Sequence, residues 1–138
     1  MLEGHVARLA AASATPAQIT SMERTLGEQQ RRLGTTTRGK DQGLEFHELV
    51  GLASGNHFLV SASKMIWSWN SAIQDLWREA DVLTGRSSYP DHKRIFTAIA
   101  SRDGAAAERA MRSHFDVFIE TVKEHFSTAP VAPLAPRA

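Results

Sequence analysis

The stretch DHKRIFTAIASRDGAAAERAMRSHF, residues 91–115, decides the fold because it contains two helical patterns separated by a short break. Phe96 and Ile99 recur at the spacing of one helix face, and Met111 lies on the apolar face of the second pattern. Asp103 lies in the break, where its side chain suits the N-cap of the following helix. Since a short connection favours antiparallel neighbours, the stretch predicts a helical hairpin.

Further helical patterns precede this hairpin, and no segment reads as a convincing strand. The predicted fold class is therefore all-α, an antiparallel bundle of about six helices. Thr15 and Pro16 supply the N-cap and first residue of the second helix. Gly55 or Asn56 is expected to take the left-handed conformation that ends the third helix. The predicted helices cover approximately residues 2–13, 16–34, 41–54, 57–83, 90–102 and 103–126.

Length, charge and residue usage limit the classes of function. The 138 residues fit one domain, predicted to cover residues 1–127, and the Pro- and Ala-rich segment 128–138 is expected to be a disordered tail. The formal charge of +1 favours neither nucleic acid nor an anionic membrane as a direct partner. No apolar run approaches the ~20 residues of a membrane helix and no signal peptide is evident, so the protein is predicted to be cytoplasmic. Without cysteine, a metal would need histidine and oxygen ligands.

Two histidines lie at matching positions of the hairpin. His92 and His114 are each eleven residues from Asp103, so antiparallel helices would hold their imidazoles at the same height. His92 lies one turn before Phe96, on the apolar face of its helix. His114 lies three residues after Met111, so it is expected to face inward as well. A single histidine is more often a surface or hydrogen-bonded core residue, but two at one level indicate a shared ion or ligand.

The stretch EFHELVGLASGN, residues 45–56, supplies a third histidine. Gly43 and Gly51 lie one turn before and after His47, so no bulky side chain of its own helix covers the imidazole. Close helix packing is the alternative reason for these glycines. Together with the hairpin pair, His47 predicts a site for zinc, nickel or a similar divalent ion, with open positions for water or a ligand oxygen. The remaining histidines are expected to be structural or solvent-facing: His5, His57 and His125.

Three stretches of the sequence together resemble a known family. FHELVGLASGN followed by DHKRIFTAIASRDGAAAERAMRSHF looks like the signature of the FCD domain, the effector-binding C-terminal domain of GntR-family bacterial transcription regulators. The opening LEGHVARLAAASATPAQITSME resembles the first two helices of that domain. The resemblance covers nearly everything from residue 2 to about 126, and it depends on several motifs in the right order and at the right spacing.

The resemblance implies an antiparallel helical bundle, usually a homodimer, that binds a small organic acid or related metabolite in a central pocket. Effector binding would change how attached winged-helix domains grip operator DNA, which implies a sensor and not an enzyme. Many members hold a divalent metal with one aspartate and three histidines, and the carboxylate of the effector completes the shell. By motif, those histidines correspond to His47, His92 and His114, which would serve as metal ligands and effector contacts. Asn56 is either a polar effector contact or only the residue after the helix stop.

Two departures from the family pattern matter. Gly43 stands four residues before His47, where the family has its aspartate. Asp41 would replace that carboxylate only if the helix begins irregularly, and Glu45 is expected to point to another face. The prediction is therefore a three-histidine metal site with extra water, or a pocket without metal. The chain also begins at Met1 where a family member still has residues of helix one, and a DNA-binding domain is expected to be absent from it.

Two other functions fit parts of the pattern. A three-histidine metal site with an open position lowers the pKa of bound water, as a metal-dependent hydrolase requires, but the inward faces offer no clear general base. A structural helical dimerisation module would leave the histidines incidental. Ligand sensing by a population shift between two arrangements of the domain pair is the favoured function.

Overall fold

The structure, a computed structural model, describes residues 1–33, 42–69 and 87–128, and these ranges contain six helices and no strand. In chain order the helices are α1 (Leu2–Ser13), α2 (Pro16–Arg31), α3 (Gln42–Ala53), α4 (His57–Trp69), α5 (Tyr89–Ala100) and α6 (Gly104–Thr128). The predicted all-α class is confirmed. Every helix end that the structure describes lies within three residues of its predicted position.

Parts of three predicted segments lie outside the residues that the structure describes. The second half of the predicted fourth helix, residues 70–83, lies outside the described residues. Residues 35–40, between the predicted second and third helices, and residues 129–138 of the predicted tail also lie outside the described residues. Thr128, the first residue assigned to that tail, is the last residue of α6.

The start of α2 follows the predicted capping chemistry. The hydroxyl of Thr15 accepts a hydrogen bond from the backbone N–H of Gln18 at 3.2 Å. The side-chain oxygen of Gln18 accepts in return from the backbone N–H of Thr15 at 2.9 Å. This reciprocal pair satisfies two backbone donors that the helix cannot satisfy itself, and Pro16 follows at the first helical position.

The corner between α3 and α4 turns within three residues. Gly55 has φ +67°, which confirms the predicted left-handed stop and suits a residue without Cβ. The Asn56 side-chain oxygen accepts from the backbone N–H groups of Phe58 and Leu59 at 3.1 and 3.2 Å. Asn56 therefore caps α4.

The hairpin between α5 and α6 is closed by Asp103 and Arg102. The Asp103 carboxylate accepts from the backbone N–H of Ala106 at 2.8 Å, as its predicted N-cap role requires. Arg102 has φ +63°, a left-handed conformation that costs a residue with a Cβ roughly 1–2 kcal/mol. Its guanidinium donates to the carbonyls of Ala11 and Ala14 at 3.3 and 2.6 Å, so the turn is tied to the end of α1.

The small face of α1 lies at the centre of the core. α1 contacts α3, α4, α5 and α6, and its buried residues include Val6, Ala7, Ala10 and Ala11. Small side chains let the neighbouring helices approach closely. The larger buried side chains come from the surrounding helices: Met22, Leu26, Phe46, Val50, Ile95, Ile99 and Met111. This packing brings the inner faces of α3, α5 and α6 together at one level.

Candidate metal centre

Three buried imidazoles meet where α3, α5 and α6 converge. His47 comes from α3, His92 from the first turn of α5 and His114 from the middle of α6. Their exposed fractions are 9%, 2% and 2%. One ligand nitrogen from each lies within 4.8 Å of the other two. The structure therefore brings together the three histidines singled out from the sequence; a bound metal stays a prediction.

The helical hairpin sets the height of two of these rings. The ring centroids of His92 and His114 are 4.8 Å apart, as expected for residues equally distant from an antiparallel turn. The His47 ring lies 5.1 Å from the His92 ring and 5.3 Å from the His114 ring. Each of the three rings therefore contacts the other two, and together they form a compact triangle.

The separation of two nitrogens tests whether the donor set fits a metal. Nε2 of His47 lies 3.3 Å from Nε2 of His114. Two imidazole nitrogens bound at 2.0–2.1 Å to one tetrahedral ion are separated by about 3.3–3.4 Å. The pair therefore fits a zinc-like ion without rearrangement. The same distance also suits a hydrogen bond between neutral imidazoles.

Aromatic side chains enclose the histidines. Phe46 is fully buried and stacks on His92, with ring centroids 4.8 Å apart and an interplanar angle of 24°. Phe115 contacts the rings of His47 and His114 edge-on, at 5.6 and 5.4 Å. These rings hold the imidazoles in place and exclude water from one side of the centre.

Burial keeps two of the imidazoles neutral. It lowers the pKa of His47 from 6.5 to about 3, with a smaller contribution from neighbouring His114. Burial also lowers the pKa of His92 well below 6.5, and His47 and His114 lower it further. A histidine binds metal through the lone pair of its neutral form, so at neutral pH these two need to lose no proton on binding.

A buried carboxylate supports the third imidazole. Asp91 is 4% exposed, and its Oδ2 lies 3.6 Å from Nδ1 of His114. Its other oxygen pairs with the guanidinium of Arg94 on the same helix. A carboxylate facing the outer nitrogen of a histidine fixes the ring orientation and leaves Nε2 as the ligand atom. Asp91 could not be predicted from the sequence, because its adjacency to His92 in the chain gives no sign that it reaches α6.

Gly43 leaves a gap in the ring of donors. A Cβ added at Gly43 would lie 3.4 Å from Cε1 of His92, so this position faces the centre. No side chain of residue 43 occupies that space. Asp41, one substitute considered from the sequence, lies outside the described residues. Glu45 points elsewhere, as predicted: it is exposed, and its carboxylate accepts from the Thr25 hydroxyl at 3.3 Å.

The other polar residues named from the sequence take ordinary positions. His5 and His57 are exposed, as expected, whereas the side chain of His125 lies outside the described part of the structure. Asn56 is exposed, and its side-chain oxygen is engaged in capping α4. A contact between Asn56 and an effector stays a prediction.

A small niche opens beside His47, on the side away from the hairpin. Its volume is about 20 Å³, enough for one water molecule. The residues that line it with His47 are Glu3, Leu44, Glu48, Gly51, Val60, Ser63 and Lys64. Gly51 lies one turn after His47, and a Cβ there would come within 3.7 Å of Val60, so the niche has little spare width at this point.

Comparison with known proteins gives consistent matches along most of the chain. The model of the FCD domain family matches residues 1–117. The Uxu operon transcriptional regulator of Escherichia coli (strain K12) is 29% identical over 131 residues, which are 90% of this chain and 49% of that protein. The HTH-type transcriptional repressor NanR of Edwardsiella tarda (strain FL6-60) is 29% identical over 115 residues, 83% of this chain and 44% of that protein.

A third regulator is similar over a comparable range. The HTH-type transcriptional regulator LutR of Bacillus subtilis (strain 168) is 26% identical over 130 residues, 91% of this chain and 59% of that protein. The chain thus spans about half the length of the curated relatives it matches. Among the described residues, none of the helices has the length and apolar character needed to cross a membrane.

Proposed function

The chain belongs to the FCD domain family, and from this premise we propose that it is the ligand-sensing effector domain of a GntR-family transcriptional regulator. It binds a small organic acid and passes that signal to operator DNA through a winged-helix domain outside this chain. The regulator acts in the cytoplasm as a homodimer. Relatives named as transcriptional regulators or repressors support this assignment over an enzyme.

One observation carries the proposal: three buried imidazoles from three helices offer ligand nitrogens within 4.8 Å of one another. A hydrophobic core gains nothing from three desolvated imidazoles, because each brings polar nitrogens that need partners. Neutral imidazole is a common ligand of zinc and nickel. We therefore assign His47, His92 and His114 as ligands of a divalent ion, zinc or nickel.

The charge of such a centre determines the class of effector. Three neutral imidazoles leave the ion with its full double positive charge, and Gly43 contributes no carboxylate to offset it. Bound there, a divalent ion supplies open positions for oxygen ligands from water or effector. An anionic oxygen donor binds best at these positions, so the proposed effector is a carboxylate. Gly43 and the niche beside His47, which holds about one water molecule, mark the α3 side as the one on which an oxygen ligand would enter.

The arrangement of ligands on three helices gives binding a structural consequence. His92 and His114 belong to one hairpin, whereas His47 belongs to the α3–α4 corner. An ion and effector held between them favour the arrangement in which both parts are close. The arrangement of the domain that binds the effector more tightly becomes more populated when the effector is present. The ratio of the effector affinities of the two arrangements limits the size of this shift.

The first test is metal content. The protein is purified without chelator or nickel resin and compared with the His92→Ala, His114→Ala double variant and with a matched control, His5→Ala, His57→Ala, which removes two exposed histidines. Near-stoichiometric zinc or nickel in the wild type and control, lost in the first variant, is the expected result. Absence of metal from all three, even after incubation with zinc or nickel, would refute the metal centre.

The second test is effector binding. Small mono-, di- and hydroxycarboxylic acids are added to the metal-loaded protein, and the melting temperature is measured. A true effector at a hundred times its Kd stabilises the folded state by about 2.7 kcal/mol. The acid should be recovered unchanged, as a sensor requires. Steady metal-dependent turnover of ester or phosphoester probes would instead support the hydrolase, and no shift with any acid would favour a structural module.

A further inference from the structure

Gln29 connects the end of α2 to the first turn of α5. Its side-chain oxygen lies 3.1 Å from Nδ1 of His92, and its amide nitrogen donates to the hydroxyl of Ser88 at 3.1 Å. Ser88 immediately precedes α5, and its carbonyl accepts from the backbone N–H of His92 at 3.0 Å. One half-buried side chain thus holds the imidazole and the start of the helix that carries it.

This contact selects one tautomer of His92. An amide oxygen only accepts hydrogen bonds, so Nδ1 must carry the ring proton. Nε2 then holds the lone pair, and Nε2 is buried and has no hydrogen-bond partner among the described residues. A buried acceptor without a partner is costly unless an ion or ligand satisfies it. Nδ1 of His92 is therefore occupied by Gln29, and the lone pair of Nε2 is available to a metal ion.

We infer that Gln29 is a positioning residue of the metal centre, one that holds His92 in the Nδ1–H tautomer with Nε2 directed toward the shared ion. This role rests on the proposed function, since it concerns the same centre. Outer partners of metal-binding histidines fix the tautomer and ring orientation, and their removal typically costs 10- to 100-fold in metal affinity.

The two hairpin histidines are supported by different chemistry. His114 faces the Asp91 carboxylate, whereas His92 faces a neutral amide. A carboxylate partner makes an imidazole a stronger donor than an amide does. His114 would therefore be the stronger electron donor of the two, and Gln29 would orient His92 without raising its basicity. An ion held by this pair would be more electron-poor than one held by two carboxylate-supported histidines, and would bind an external oxygen ligand more strongly.

Two variants of Gln29 separate positioning from simple packing. Gln29→Leu keeps the size of the side chain and removes the acceptor, so zinc affinity should fall 10- to 100-fold. Gln29→Glu keeps an acceptor for Nδ1–H, and the Ser88 hydroxyl can rotate to donate to it, so zinc affinity should equal or exceed that of the wild type. Gln30→Leu, at the exposed neighbouring position, is the matched control and should bind zinc like the wild type.

A second readout uses the metal-free protein. Long-range proton–nitrogen NMR correlations report which ring nitrogen of His92 carries the proton. The wild type, Gln29→Glu and the Gln30→Leu control should show Nδ1–H, and Gln29→Leu should show a mixture of tautomers or the Nε2–H form. A merely structural link between α2 and α5 would change the melting temperature without changing this tautomer.

The outcomes distinguish this inference from the proposed function. If the wild type binds zinc, and Gln29→Leu binds it equally well with an unchanged tautomer, the role of Gln29 is refuted while the metal centre stands. If the wild type binds no metal, the metal centre fails, and Gln29 is shown to set the tautomer only if His92 is protonated at Nδ1 in the wild type and loses that form in Gln29→Leu. An Nε2–H wild-type His92 refutes the inference even if Gln29→Leu does not fold.

Discussion

The two helical corners that supply the histidines are closed by different chemistry. The α5–α6 hairpin ends in an Asp103 cap and in the Arg102 guanidinium bound to the end of α1. The α3–α4 corner turns at Gly55 and the Asn56 cap, and its backbone carbonyls at Leu52 and Ser54 accept from the side chains of Gln18 on α2 and Ser13 on α1 at 3.3 and 3.4 Å. Both corners are therefore tied to neighbouring helices, the first by a charged guanidinium with one bond of 2.6 Å and the second by longer hydrogen bonds from neutral side chains.

The same contrast appears at the metal centre. His92 and His114, on the hairpin, are each 2% exposed and have Gln29 and Asp91 as outer partners. His47, on the other corner, is 9% exposed and lines the niche. The hairpin therefore holds two fully buried imidazoles with outer partners, and α3 holds the imidazole that borders the niche.

The largest expected effect comes from Phe46, which joins the two corners by stacking from α3 onto His92. Phe46→Ala should lower the free energy of unfolding by about 3–5 kcal/mol, because it leaves a cavity in the core beside the centre. Chemical denaturation measures this loss. Phe58→Ala, at an aromatic residue that is 80% exposed, is the control and should change stability little. Equal losses in both variants would contradict the role assigned to Phe46.

Acid should destabilise the metal-free protein through its neutral imidazoles. In the unfolded chain His47 is protonated below pH 6.5, whereas in the folded protein its pKa is lowered to about 3. The contribution of His47 to stability is therefore fully present above pH 6.5 and is lost as the pH falls from 6.5 toward 3. Each such imidazole should cost about 1 kcal/mol over the first pH unit below 6.5. Unfolding in chelator at several pH values measures the slope.

A matched pair of variants assigns that slope. His47→Gln should flatten the pH dependence, and His5→Gln, at an exposed histidine, should leave it unchanged. An identical slope in wild type and His47→Gln would mean that the α3–α4 corner opens to admit the proton, which would reverse the contrast between the corners.

Gly43→Asp should add a charged ligand on the α3 side of the candidate metal centre. The new Cβ has space at 3.4 Å from His92 Cε1, and a carboxylate beside three imidazoles should tighten zinc binding about tenfold or more. Gly43→Asn is the control of equal size without the charge. Competition with a zinc indicator gives both affinities. Equal affinities for the two variants would show that residue 43 does not reach the ion.

The smallest expected effects come from the two helix caps. Asn56→Ala and Asp103→Ala should each cost about 1 kcal/mol of stability, measured by thermal unfolding. Asn56→Ala also tests the predicted effector contact. If Asn56 only caps α4, the affinity of the folded protein for its acid is unchanged, whereas a loss of affinity larger than the loss of stability supports the contact.

Much of the fold could be predicted because helix ends depend on local chemistry. Thr15, Gly55 and Asp103 were identified correctly, since each acts on residues within four positions of itself. The level of His92 and His114 also followed from the sequence, because equal spacing about a short turn fixes height in an antiparallel pair. The closeness of His47 was predicted from the glycines around it, together with the hairpin pair.

The outer partners of the centre could not be predicted. Gln29 lies 63 residues before His92, and no spacing rule joins them. Asp91 is adjacent to His92, yet neighbouring helical positions point in different directions, so its carboxylate reaches His114 on α6. Which nitrogen each imidazole presents depends on these contacts.

The helices, their caps and the three imidazoles that could meet follow from the sequence, because periodicity and capping act over a few residues. The distances between those imidazoles, the tautomer of His92 and the orientation of position 43 toward the centre depend on the tertiary structure. These properties arise from side chains on separate helices, and the packing of α1 against its neighbours fixes the distances between them.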